Sequence, residues 1–140
     1  MTLYLDSSAL VKLYVDEVHS DRVWDLVSSH DALWTSLVAY AEVRSAFGRR
    51  RREGTLKVHD FQRVLHDFNG DWSDVNRVVL DHELALAAGE FADRHRLRGF
   101  DAVHLASALR VRANEGALLF VAFDDALVRA AGAEGLMVEP

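Results

Sequence analysis

Residues 1–17 read MTLYLDSSALVKLYVDE, and the turning point of that stretch is Asp6. Leu3, Tyr4 and Leu5 form a short apolar run of the kind that becomes a buried strand. A carboxylate follows, then Ser7 and Ser8, before apolar residues return at Ala9, Leu10, Val11 and Leu13. Asp and Ser are favoured helix N-caps, so capping of a helix near Ala9 accounts for any one of them taken alone. The pattern recurs in residues 117–125, ALLFVAFDD, where a stronger apolar run ends on Asp124 and Asp125 ahead of the helical segment ALVRAAG.

Between these two stretches, strand and helix signals alternate. SDRVWDLVSS (20–29) carries a helical apolar set at Val23, Trp24 and Val27, and ALWTS (32–36) reads as a strand. The next helix, in SLVAYAEVRSAFGRRRR, is predicted to be capped by Thr35 or Ser36 and stopped by Gly54. TLKVHDFQRVLHDF keeps the helical period through Val58, Phe61, Val64, Leu65 and Phe68, with Thr55 as its expected cap. RVVL (77–80) reads as a strand, DHELALAAGEFADRHRL as a helix capped by Asp81, and Gly99 as a break before a further helix, DAVHLASALRVRA. LMVE near the end is expected as an edge strand. Strands separated by helices pair in parallel through right-handed crossovers, which predicts a three-layer α/β/α sandwich.

Composition sets the bounds. At 140 residues, half of them hydrophobic, the chain is expected to form one domain spanning 1–140 with a sizeable core. It has no cysteine, which excludes disulfides, thiolate metal sites and a cysteine nucleophile. No run approaches the ~18–20 apolar residues of a membrane span, so the chain reads as soluble and cytoplasmic, with no membrane partner. The net charge of −6 argues against nucleic acid binding, but it conceals a cluster. Four arginines, Arg49, Arg50, Arg51 and Arg52, sit together, with Arg44 about a turn earlier.

Ligands of open parallel sheets bind outside the carboxyl ends of the strands, where Asp6 and Asp124 both fall. Two further acids sit among small or apolar neighbours. Glu42 shares its helix face with Val38, Ala39, Ser45 and Ala46, and Asp101 opens an apolar helix beside Phe100 and ahead of His104. Taken singly, Asp6, Asp101, Asp124 and Asp125 are accounted for as caps, and Glu42 as a partner of Arg44 or Arg49. Capping does not account for four acids at the edges of apolar segments in one small domain.

Four carboxylates held together repel one another unless a cation compensates. Mg²⁺ and Mn²⁺ suit such oxygen donors, whereas zinc recruits His or Cys, and the seven histidines show no metal spacing. There is no P-loop, no G-x-S-x-G elbow and no GxG pair. Hydrolysis of a phosphodiester by metal-activated water is the chemistry that remains.

YLDSSALVKLYVDE, AEVRSAF, GFDAVHLASAL and FVAFDDALVRAA occur in the order and spacing of the PIN-domain family, and most resemble the VapC-type toxins of type II toxin–antitoxin pairs. The resemblance spans nearly the whole chain. It implies that Asp6, Glu42, Asp101 and Asp124 form an acidic, catalytic pocket for Mg²⁺ or Mn²⁺, with Ser8 orienting the first acid or a metal-bound water. It implies an endoribonuclease that leaves a 5′-phosphate and a 3′-hydroxyl, a parallel sheet of about five strands, a homodimer, and inhibition by a VapB-like antitoxin. One position departs from the pattern: Ala122 stands where the family often carries Thr or Ser. Asp125 is a candidate to supply part of that missing hydroxyl's role.

The arginine run stabilises a helix C-terminus through the dipole, and becomes an RNA contact if that helix end borders the pocket. His104 reads as a packed residue behind the acids, and Trp24, Trp34 and Trp72 as core residues. Two other functional classes are weighed against the nuclease. A catalytically silent PIN-fold binding module would keep the fold without turnover. A Mg²⁺-binding receiver would need Asp81 as an acceptor after the middle strand and a late lysine, yet no lysine follows Lys57.

Overall fold

The computed structural model describes residues 1–139. The chain runs β1 (Thr2–Leu5), α1 (Ser7–Val11), α2 (Ser20–Ser29), β2 (Ala32–Ser36), α3 (Ala39–Arg52), α4 (Val58–Trp72), β3 (Asn76–Val78), α5 (His82–His95), α6 (Gly99–Glu115), β4 (Leu118–Val121), α7 (Asp125–Ala133) and β5 (Met137–Val138). The five strands form one sheet in the order β3-β2-β1-β4-β5, with every pair parallel. Helices cover both faces, as the alternation of elements requires.

Side-chain alternation along β1 and β4 divides the core. Leu3, Leu5 and Val121 pack with Val23, Val43, Phe47, Val64 and Phe68 under α1–α4. Tyr4, Leu118 and Phe120 face the other way and pack with Leu84, Leu105, Ala108 and Leu127 under α5–α7. Tyr4 stacks on Phe120 at 5.5 Å between centroids.

The first half of the chain builds outward from β1 through β2 to β3, and the second half resumes on the other side of β1 with β4. β1 and β4 therefore flank the point where strand order reverses, where α/β sheets open a crevice. Leu5 is in register with Val121, and the Asp6 N–H donates to the Val121 carbonyl at 3.1 Å. The two strand-end acids are thus carried by neighbouring strands.

Several local expectations need correction. Thr35 does not cap α3; it is buried and donates to the Leu5 carbonyl at 2.7 Å, tying β2 to β1. Ser36 accepts from the Val38 N–H at 3.2 Å, but the helix begins only at Ala39. Thr55 reaches back to the Arg50 carbonyl, and α4 starts after Lys57 without a side-chain cap. Gly99 does not break the chain but is the first residue of α6. The break is made by Arg96, left-handed at φ 56°, and the Leu97 N–H returns to the Ala92 carbonyl while its side chain is buried. Trp24 is 52% exposed rather than core.

Candidate active site

Asp6 ends β1 and serves two purposes. Its Oδ1 accepts from the Ala9 N–H at 3.0 Å, capping α1, and from the Ser8 hydroxyl at 2.7 Å. Asp124 repeats the device at the end of β4, where its Oδ1 accepts from the Leu127 N–H at 3.0 Å and caps α7. Among the described residues neither Oδ2 accepts a hydrogen bond, so capping and a role in the pocket do not compete. Ser8 joins the two strand ends, because its hydroxyl also accepts from the Phe123 N–H at 3.1 Å.

Glu42 and Asp101 arrive from the first turns of α3 and α6. Glu42 pairs with neither Arg44 nor Arg49. Its Oε1 accepts from the Ser7 hydroxyl at 2.5 Å and from His104 Nε2 at 2.8 Å, and His104 Nδ1 shares a 2.8 Å hydrogen bond with the Tyr4 hydroxyl. A carboxylate only accepts, so Nε2 carries the hydrogen toward Glu42, and in the neutral ring Nδ1 accepts from Tyr4. His104 is 1% exposed, a packed residue behind the acid.

Asp6, Glu42, Asp101 and Asp124 line one pocket together with Ser7, Ser8, His104, Lys12, Arg49, Arg50 and Arg98. Burial pushes the Asp6 carboxyl above its usual range; nearby His104, the Ser8 hydroxyl and the Ala9 N–H offset part of this, and Asp101 adds to it. Burial likewise raises Asp101, with Arg98 opposing and Asp124 reinforcing the shift. For Glu42 burial pushes the same way, but His104 and Ser7 outweigh it and hold the carboxyl below the ordinary range.

Among the described residues no three His, Asp or Glu side chains are gathered tightly enough to hold a metal ion. Arg98 instead spans two of the acids, with Nε 3.6 Å from Asp101 and Nη2 3.7 Å from Asp124, while its side chain stays 84% exposed. An exposed guanidinium beside two carboxylates marks a place that attracts a cation. The all-oxygen donor set suits Mg²⁺ or Mn²⁺.

A family model for the PIN domain matches residues 3–133. The chain belongs to the PIN domain family. It is 36% identical to Ribonuclease VapC49 of Mycobacterium tuberculosis H37Rv over 99% of this chain and 94% of that protein. It is 35% identical to Ribonuclease VapC46 of the same strain over 97% and 95%. Among solved structures it is similar to FitAcB from Neisseria gonorrhoeae, with a TM-score of 0.72 at 15% identity over 99% of this chain and 96% of that one. It is also similar to VapBC2 from Rickettsia felis bound to a promoter DNA fragment, with a TM-score of 0.64 at 14% identity over 99% and 98%.

In this PIN domain the arginine run divides. Arg49 and Arg50 line the acidic pocket, and Arg50 grips Glu17 through Nε at 3.2 Å and Nη2 at 2.9 Å. Arg51 lies over the Phe61 ring at 5.1 Å, away from the acids, and Arg52 is exposed. Asp125 is the first residue of α7 and opens into a neighbouring cleft with Lys12, His19 and Phe123. Asp81 follows the edge strand β3, caps α5 and is gripped by Arg110 at 2.8 and 3.1 Å, which removes the basis for a receiver-like acceptor. Arg98, Lys12 and Ser7 are pocket residues that sequence reasoning missed. Arg98 lay three residues before a singled-out acid, which on a helix is one turn.

Proposed function

We propose that this PIN domain is a Mg²⁺- or Mn²⁺-dependent endoribonuclease toxin that hydrolyses RNA phosphodiesters. The observation that carries the reading is the convergence of Asp6, Glu42, Asp101 and Asp124, from four separate elements, on one pocket rimmed by Arg49, Arg50 and Arg98. The names of its relatives support ribonuclease activity.

Asp6, Asp101 and Asp124 would hold the metal by drawing closer around it in place of Arg98, with Glu42 beside them. When bound, such an ion neutralises the phosphoryl group and makes water a better nucleophile at neutral pH. Ser8 orients Asp6, and Ser7 and His104 fix the Glu42 carboxylate. Arg98, freed from Asp101 and Asp124, turns to the phosphate with Arg49. Arg50 is occupied by Glu17 and shapes the rim. Ala122 offers no hydroxyl, and Asp125 faces another cleft, so Ser8 is the hydroxyl that links the Asp6 and Asp124 segments.

A VapB-like antitoxin as partner is supported by the neighbours, which include a toxin–antitoxin complex from Klebsiella pneumoniae and VapBC2. A homodimer belongs to the same reading, and Val79, Leu80 and Leu86 offer exposed apolar side chains for it. No described helix is long and apolar enough to cross a membrane.

Cleavage of total RNA by the purified, antitoxin-free protein in Mg²⁺ or Mn²⁺ tests the reading. Discrete cuts with 5′-phosphate ends that vanish with EDTA and with Asp101→Asn are expected. Identical RNA profiles from wild type and variant would turn the reading into that of a silent binding module.

A further inference from the structure

His19 breaks two local rules at once. It occupies the N-cap position of α2 yet makes no capping hydrogen bond, and its backbone is left-handed at φ 73°. L side chains rarely adopt that conformation, and where it persists the surroundings must enforce it. Here they do. The buried Ser20 hydroxyl donates to the Val15 carbonyl at 3.1 Å and accepts from the Glu17 N–H at 3.0 Å, pinning the loop that presents His19.

The enforced geometry lays the His19 ring on Phe123, 5.3 Å between centroids and 15° from parallel. The His19 residue itself stays exposed. Phe123 is joined to the acidic pocket twice: it directly precedes Asp124, and its N–H donates to Ser8, the residue that orients Asp6. Lys12 lies 4.6 Å from the same ring and lines both the acidic pocket and the cleft that holds His19. The cleft also contains Asp125, and its Glu139 is neutralised by Arg22.

We infer that His19 and Phe123 form a stacking platform for an unpaired nucleobase next to the scissile phosphate. A flat, exposed, pre-ordered ring backed by a second ring is the recurring surface for single-stranded RNA bases, and Lys12, held by Glu17 at 3.0 Å, supports the inner ring. The inference rests on the ribonuclease reading and adds to it a defined place for a base. It also explains why a strained histidine stands where Asn or Gly would serve the backbone better.

Fluorescence anisotropy in EDTA, which prevents cleavage, tests the platform with a labelled single-stranded RNA oligonucleotide and an abasic oligonucleotide of the same length. His19→Asn keeps a residue suited to the left-handed backbone but removes the ring, and His19→Tyr restores a ring. His19→Asn is expected to melt no lower than wild type, to bind the RNA on the order of tenfold more weakly, and to bind the abasic strand like wild type. His19→Tyr is expected to recover most of the lost affinity. Equal binding of the RNA by wild type and His19→Asn, or an equal loss on both strands, overturns the platform while metal-dependent cleavage would leave the nuclease standing. Absence of RNA binding by wild type likewise overturns the platform, and only absence of metal-dependent cleavage overturns the nuclease as well.

Discussion

The Tyr4 hydroxyl and His104 Nδ1 share a 2.8 Å hydrogen bond in the core directly behind the acidic pocket. Through the other ring nitrogen, His104 passes that constraint to Glu42. A central-strand residue therefore orients a carboxylate that lies a sheet layer away. Tyr4→Phe leaves one buried ring nitrogen without its hydrogen-bond partner, which costs about 1–3 kcal/mol. A lowered urea midpoint with an unchanged slope checks this, and an unchanged midpoint would show that the bond contributes nothing.

Arg98 competes with any cation for Asp101 and Asp124. Its exposure limits the effect to that of a surface charge. Arg98→Ala is expected to tighten Mg²⁺ binding about two- to fivefold by isothermal titration while weakening RNA binding. Weaker Mg²⁺ binding would mean that the guanidinium organises the acids rather than opposing the ion.

The split in the arginine run has a direct consequence. Arg49 faces the pocket and Arg51 lies over Phe61, so Arg49→Ala should lower RNA affinity and reduce the salt slope by about one. Arg51→Ala should leave the slope unchanged. Anisotropy titrations over a salt series separate the two, and equal slopes for both variants would place the phosphate contact elsewhere.

Glu17 ties α3 to the loop after α1 through Arg50 and Lys12. Burial pushes its carboxyl up, but the hydrogen bonds from Arg50 and Lys12 outweigh burial and hold it below the ordinary value of 4.5. A depressed folded pKa means that the stabilisation is complete above the unfolded value and is lost as pH falls through the folded one. Glu17→Gln should therefore unfold more easily than wild type at pH 7, by about 0.5–1 kcal/mol, with the difference closing in acid below the carboxylate range. Urea titrations at a series of pH values measure it, and a difference that persists in acid would refute the ionic account.

All four acids, and the layered α/β architecture, were legible in the chain because each depends on local pattern. An apolar run ending on a carboxylate ahead of a helical period marks a strand end whatever lies around it, as at Asp6 and Asp124. The caps were less legible. Thr35 looks like an N-cap in one dimension, but its hydroxyl finds the Leu5 carbonyl on a strand 30 residues away. Trp24 has the spacing of a core residue, yet the helix turns it outward.

What local pattern could not supply was neighbourhood. Strand periodicity says that β1 and β4 exist but not that they are paired, and the meeting of Asp6 with Asp124 depends on that pairing alone. The partners of Glu42 are Ser7 and His104, 35 and 62 residues distant, rather than the arginines beside it in sequence. Hydrogen bonds and ion pairs act over a few ångströms in space and are indifferent to separation along the chain. Residue types and their periods thus indicated the layers and singled out the candidate acids, while the folding of those layers chose which side chains touch.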